Sequence, residues 1–384
     1  MKKLLLLQIL LFVTFLGFCQ NSPVIWTDSV YTGKQGKFHI QGFTLDKANG
    51  FIYTSFTNKL LKMNLKGEVV ASVIGIVGHL GDLEYNEKDG KIYASLEYKN
   101  DVIGKGINNT LGIDRNVTNS FYIAVFDTSK ITEKDMHVDS TDILNGIYLH
   151  EVVNDHDAEV KIGNKSVKYR HGCSGIDGLT FAPAIGENST DRNFLYVAYG
   201  VYGDTTRTDN DHQVILKFDP KELNKYVRPI NQNRLHTSGP TQAVDKYFIK
   251  TGNTRFGIQN LSYDPYSGNL YAAVYKGSKS KFSNFDLFVI NGHIKPFKID
   301  YFSDGKKTKV SSLALTKKGT RDKSGILNGW HFKWGATGIQ SLDNGIFYIS
   351  HHGKSEDGQQ QSTIYKYKWI GDSKTAFRRY NENK

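Results

Sequence analysis

The chain has 384 residues, 39% of them apolar, and 49 Lys and Arg against 38 Asp and Glu give a formal net charge of +11. Of two cysteines, Cys19 falls in the N-terminal segment expected to be removed, which leaves Cys173 unpaired and rules out an intramolecular disulfide, so stability must come from a packed core, which a chain of this length can bury. The positive charge is dispersed, its densest run being Lys306-Lys307-Thr308-Lys309, and no helix or known module carries it, which argues against nucleic acid as partner.

Met1 to Lys3 and the apolar stretch from Leu4 to Phe18 read as a secretory signal peptide spanning residues 1–20, too short in its apolar part for a membrane span. Phe18 is bulky where lipid attachment at Cys19 would want a small residue, so a released, secreted or periplasmic protein is expected rather than an anchored one. Residues 21–384 then form a single domain with no integral membrane span, expected to be a monomer.

In chain order, residues 24–31 alternate as a strand. Strands are expected next at 41–45, 51–56, 60–64 and 69–74, about the size of one propeller blade. A second repeat begins at His79, with strands at 91–97 and 121–127 separated by a polar loop over 98–119. An outer strand at 146–152 and a hairpin insertion near 158–160 follow. The third, from His171, has strands at 179–182, 194–199, 214–219 and 247–251, a polar loop at 203–212 and a short helix from Pro220. The fourth, from Gly257, has strands at 270–275, 285–290 and 294–299, and 303–335 reads as loop. The fifth, from Gly338, has strands at 346–350, 364–369 and 376–380.

These segments are repeats of one unit. Gly175-Ile176-Asp177-Gly178-Leu179 aligns with Gln41-Gly42-Phe43, Gly81-Asp82-Leu83, Gly257-Ile258-Gln259-Asn260-Leu261 and Gly338-Ile339-Gln340-Ser341-Leu342. Each is followed by an apolar run. An internal repeat of short strands predicts an all-β fold, a β-propeller with five blades of four antiparallel strands. Uneven spacing leaves six or seven blades open. Closure removes the free edges of the sheets, and strand 24–31 is expected to pair with the C-terminal strands to close the ring.

First strands line the axis of a propeller. Gln41, Asp82, Asp177, Gln259, Asn260 and Gln340 should therefore converge there, and their oxygens suit a hard cation such as Ca2+. A mutually satisfied polar tunnel is the alternative. His39, His79 and His171 precede inner strands and His351-His352 follow a second strand, which places them on one face. His39, His79 and His352, with Arg255, are the candidate catalytic set, able to activate water and neutralise an anion. Loops carrying Glu97, Tyr199, Tyr202, Asp204, Arg207, Asp209, Asp211, His212 and Lys276 are expected on the same face. Gly172-Cys173-Ser174-Gly175 lacks the nucleophile-elbow pattern, so Cys173 and Ser174 read as wall residues.

This pattern resembles the calcium-containing β-propeller hydrolases, which include six-bladed lactonase and phosphotriesterase-like enzymes and a five-bladed calcium-activated nucleotidase. The resemblance implies a central calcium on Asp82, Asp177 and Asn260, with Glu84 as a weaker candidate, while the amides of Gln41, Gln259 and Gln340 depart from it. A secreted hydrolase of a small phosphate ester, nucleotide or lactone is the expectation. The alternative is a non-enzymatic extracellular propeller that binds a glycan, peptide or protein; a structural module of an envelope assembly is a third reading.

Overall fold

The computed structural model describes residues 24–115, 118–187, 191–325 and 327–380; the expected signal peptide lies outside them. Five sheets surround one axis, and each inner strand contains one copy of the repeat: Ile40–Asp46, His79–Asn86, Cys173–Pro183, Thr254–Asp264 and Ile339–Asp343. Each packs against the next, and the fifth packs against the first. The chain is a five-bladed, all-β propeller.

Blade one adds Phe51–Phe56, Lys59–Met63 and Val69–Ile74, all antiparallel, with Met136–His137 alongside in parallel. Blade two adds Lys91–Tyr98, Ser120–Asp127 and Asn145–Tyr148, with Arg228–Pro229 outermost. Blade three continues through Asn193–Val201, His212–Phe218 and Asp245–Lys250. Blade four has three strands, the others being Asn269–Lys276 and Leu287–Ile290, with single bridges from Leu287 to Trp330 and from Ile290 to Leu315 beyond them.

Blade five contains Ile346–Lys354 and Gln360–Trp369, and the N-terminal strand Ser29–Tyr31 pairs with the latter, Val30 opposite Ile364. The ring is closed by its two ends, as the alternation at 24–31 led one to expect.

Three expectations are corrected. Residues 98–119 are not all loop: Val102–Leu111 is an α-helix, capped by the Asp101 side chain and ended at Gly112 with φ 68°. Its Asn and Gly content hid it. Gly104 is required there, because a Cβ would lie 1.8 Å from the Lys99 carbonyl oxygen. Second, the strand expected at 294–299 does not belong to blade four. Phe297–Ser303 forms a hairpin with Lys306–Ser312, and that second strand runs parallel to Asp245–Lys250, extending blade three. The span 303–335, read as loop, thus contains this strand and the short pair Thr320–Arg321 with Asn328–Gly329. Third, the strand expected at 146–152 stops at Tyr148 and gives way to the helix His150–Asp157. The hairpin insertion follows as Glu159–Ile162 and Lys165–Lys168.

The core lies between blades. Phe43, Leu83, Leu179 and Leu261, the repeated hydrophobes, are fully buried, and each contributes about 1.5–3 kcal/mol. Polar staples join neighbouring inner strands. Thr44 Oγ1 accepts from Tyr85 N at 2.8 Å, and Thr180 Oγ1 accepts from Tyr263 N at 3.1 Å. Such bonds satisfy backbone groups that a strand buried on both faces cannot expose to water.

Candidate functional site

The axis is held by side chains reaching across it. Asp82 is 1% exposed, and its Oδ2 accepts from Leu179 N at 3.0 Å and Leu261 N at 3.2 Å. One carboxyl thus fastens blade two to blades three and four. Burial pushes this carboxyl well above the usual range, although the backbone N–H groups pull the other way. A Cβ at Gly42 would lie 2.6 Å from Asp82 Oδ1, so only glycine admits the carboxyl there.

Asn260 Nδ2 donates to Gln41 O at 2.8 Å and Ala336 O at 3.2 Å, which ties blade four to blade one and to the approach to blade five. Gln259 Nε2 donates to Asp177 Oδ2 at 2.8 Å. Gln41 Nε2 donates to Thr57 Oγ1 at 2.8 Å and lies 3.0 Å from His39 Nδ1. Near the other end, Gln340 Nε2 donates to Glu84 Oε2 at 2.9 Å, and burial pushes Glu84 up to about 8.

All six residues expected as metal ligands are therefore strung along the channel, each engaged with protein. Asp82 Oδ1 and Asn260 Oδ1 are buried without a partner. Two such oxygens are fewer than the roughly six to eight that calcium takes. Among the described residues, no cluster of three or more His, Cys, Asp or Glu is placed to hold a metal.

At one mouth of the channel two cavities adjoin. The axial chamber, about 190 Å³, is walled by Gln41, His79, Glu97, Lys99, Asp177 and Gln259, among others. A groove of about 800 Å³ beside it is lined by Arg255, Lys276, Asp286, Lys333, Trp334 and His352. His39, Phe256 and Tyr275 border both. His39, His79, His352 and Arg255 thus come together here, from blades one, two, five and four.

In the chamber His79 Nδ1 is 3.3 Å from Glu97 Oε2, and Lys99 Nζ is 2.6 Å from the same oxygen. Glu97 Oε1 accepts from Ile176 N at 2.7 Å. Burial pushes Glu97 up, but Lys99 and His79 outweigh it and hold the carboxyl below its ordinary range. Burial, and then the Glu97 charge, raise Asp177 well above the carboxylate range, with Lys99 and the Gln259 amide pulling the other way. Burial, with His79 and His352 nearby, brings His39 down to about 4, and burial with Lys333 lowers His352. Both imidazoles are neutral at pH 7.

The groove is the cationic part. Arg255, Lys276 and Lys333 are exposed, and none has a carboxylate within ion-pair distance among the described residues. Lys333 Nζ sits 4.5 Å from the Trp334 ring centroid. Phe256, on the seam, has φ 64°, a left-handed conformation that costs a bulky residue energy. Its carbonyl accepts from Gln259 Nε2 at 2.8 Å, which helps fix it.

Other expectations fall elsewhere. His171 is buried and hydrogen-bonded through Nδ1 to Tyr301 Oη at 2.9 Å. Arg207 pairs with Asp209 at 2.8 Å within its loop, and Lys279, from the connection after Asn269–Lys276 in blade four, pairs with Asp211 at 2.5 Å, tying that loop to the neighbouring blade. Cys173 is buried and its thiol raised by burial, so it is no nucleophile. Lys99, Phe256, Tyr275, Lys333 and Trp334 escaped the sequence reading. Glu97 and Lys99 carried a signal: at i and i+2 beyond a strand's apolar run, they share one face.

Compared with known proteins, the chain matches no protein-family model and no curated protein in sequence.

Proposed function

We propose that the two cavities hold a small phosphate ester, nucleotide or lactone, and that the chain hydrolyses it, the cationic groove meeting the phosphate or the carboxylate that ring opening releases. The observation that carries this reading is the His79–Glu97 contact facing a chamber beside a groove where three cations, Arg255, Lys276 and Lys333, face one carboxyl, Asp286. With Nδ1–H directed at Glu97, His79 presents Nε2 as the base toward a water, the tautomer being set by that carboxylate. Arg255, Lys276 and Lys333 hold the anion and offset charge that develops on it. Asp177, whose protonated form is favoured by burial and by the Glu97 charge, is the candidate donor across the chamber. Calcium, if bound, would be held at Asp82 Oδ1 and Asn260 Oδ1, which line neither cavity, so its contribution would be to the axis of the ring; the residues named above act without it. Export through the N-terminal segment would place this chemistry outside the cytoplasm.

Turnover of aryl phosphate mono- and diesters, a nucleoside triphosphate and an aryl lactone, with and without a chelator, tests the proposal. H79Q is expected to lower kcat by about 10²–10⁴, and R255A to raise KM. Metal analysis of the parent and of a D82N/D177N variant runs beside it, and a parent free of stoichiometric calcium would end the calcium proposal. Saturable binding with no turnover above H79Q would overturn the hydrolase and leave a binding propeller for an anion or glycan.

A further inference from the structure

The strand Phe297–Ser303 is the last of the six-stranded sheet of blade three. One edge pairs throughout with Lys306–Ser312, and among the described residues no strand pairs with the other. A free edge of this length presents unpaired backbone donors and acceptors to an incoming extended chain. Phe302 is 67% exposed and Phe297 45%, on the same strand.

The charge around the edge is mostly positive, with Glu159, Asp300 and Asp304 as its nearest carboxylates. The hairpin Glu159–Ile162 and Lys165–Lys168 abuts it, with Lys161 N donating to Asp304 Oδ1 at 2.9 Å. Asp300 is occupied by Lys307 at 2.8 Å and Lys309 at 2.5 Å. Among the described residues, Lys161, Lys165, Lys168, Lys298 and Lys306 have no carboxylate within ion-pair distance. Ser303 Oγ, beside Lys306 in a cleft of about 580 Å³, is buried without a partner. A second copy of this chain would bring the same positive edge and be repelled. An acidic strand would not.

We propose that this edge docks an extended acidic peptide segment as an added strand. Its backbone pairs with Phe297–Ser303, its carboxylates meet Lys298 on one face and Lys306 on the other, and an apolar side chain covers Phe302. The backbone requirement is what separates this occupant from other polyanions, which need charge alone.

Fluorescence anisotropy tests it on the full chain, using a labelled peptide of alternating Glu and Val, the same peptide interrupted by proline, and a sulfated oligosaccharide of equal charge. The alternating peptide is expected to bind at least about tenfold more tightly than either control. It should also slow amide exchange within residues 297–303. K298E/K306E, checked for unchanged melting, should weaken the peptide by at least about tenfold. Equal binding of the proline peptide or the oligosaccharide, or unchanged exchange at the edge, would overturn strand addition and leave plain charge attraction.

Discussion

Replacing Asp82 by Ala is expected to destabilise the protein by about 3–5 kcal/mol. The change strands two buried backbone donors, Leu179 N and Leu261 N, each costing roughly 1–3 kcal/mol when unsatisfied, and leaves a void where three blades meet. Asp82→Asn keeps the shape and one acceptor oxygen, and because burial favours the uncharged carboxyl, its cost should stay under about 1 kcal/mol. The same carboxyl makes stability depend on pH. Asp82, Glu84 and Asp177 have raised values in the fold, so at these three groups the fold keeps protons that the unfolded chain loses above about pH 4, whereas carboxyls held low, such as Glu97 and Asp155, act in the opposite sense and only in the acid range. Stability therefore falls as pH rises through the interval up to those raised values. Buried histidines such as His39 and His212, lowered by burial, act in the opposite sense, but only below about pH 6.5, their unfolded value. Between about pH 7 and 8.5, the range of the raised Glu84 value, the parent should lose stability with pH, and E84Q should lose less. Chemical denaturation at both ends of that window checks both parts, and a D82A as stable as the parent would remove Asp82 from the role of axial strut.

Removing residues 21–31 should open the ring. Val30 is 1% exposed and packs with Phe43, Tyr348 and Ile364, and the strand's ladder to Gln360–Trp369 is lost with it. Lys366 Nζ also loses its bond to Trp26 O, 2.7 Å long, and Trp26 leaves its edge-on contact with Tyr348. One buried valine and several hydrogen bonds add to about 4–6 kcal/mol. In a chain of this size the thermal midpoint should fall on the order of 10 °C. V30D is the point version, since it places an unpaired charge in the same core. An unchanged midpoint in both would mean that closure by the N-terminal strand carries no stability.

What was legible in the sequence follows from what repeats. The apolar residue at Phe43, Leu83, Leu179 and Leu261 recurs because every blade needs the same inner contact, so blade number and the axial position of Asp82, Asp177 and Asn260 could be read. The identity of their partners could not. Asp82 looks like a metal ligand until its oxygen is seen to accept from two backbone N–H groups that no side-chain pattern announces. Elements that break the repeat were hidden for the same reason. Helix Val102–Leu111 is stabilised by packing through Gly104, a residue that propensity counts against a helix. Phe297–Ser303 alternates as a strand, but its attachment to blade three rather than blade four is a tertiary choice. The site divides in the same way. His39, His79, Arg255 and His352 were found because they sit beside repeated strands, whereas Lys333 and Trp334 come from a connection with no counterpart in the other blades.

Trp334 gives the most direct test, because it lines the groove at the mouth of the channel. Titration of its fluorescence with phenyl phosphate, with W334F identifying the signal, should saturate in the parent and weaken at least about tenfold in R255A/K333A. A titration that R255A/K333A leaves unchanged would contradict the assignment of this groove as the anion site.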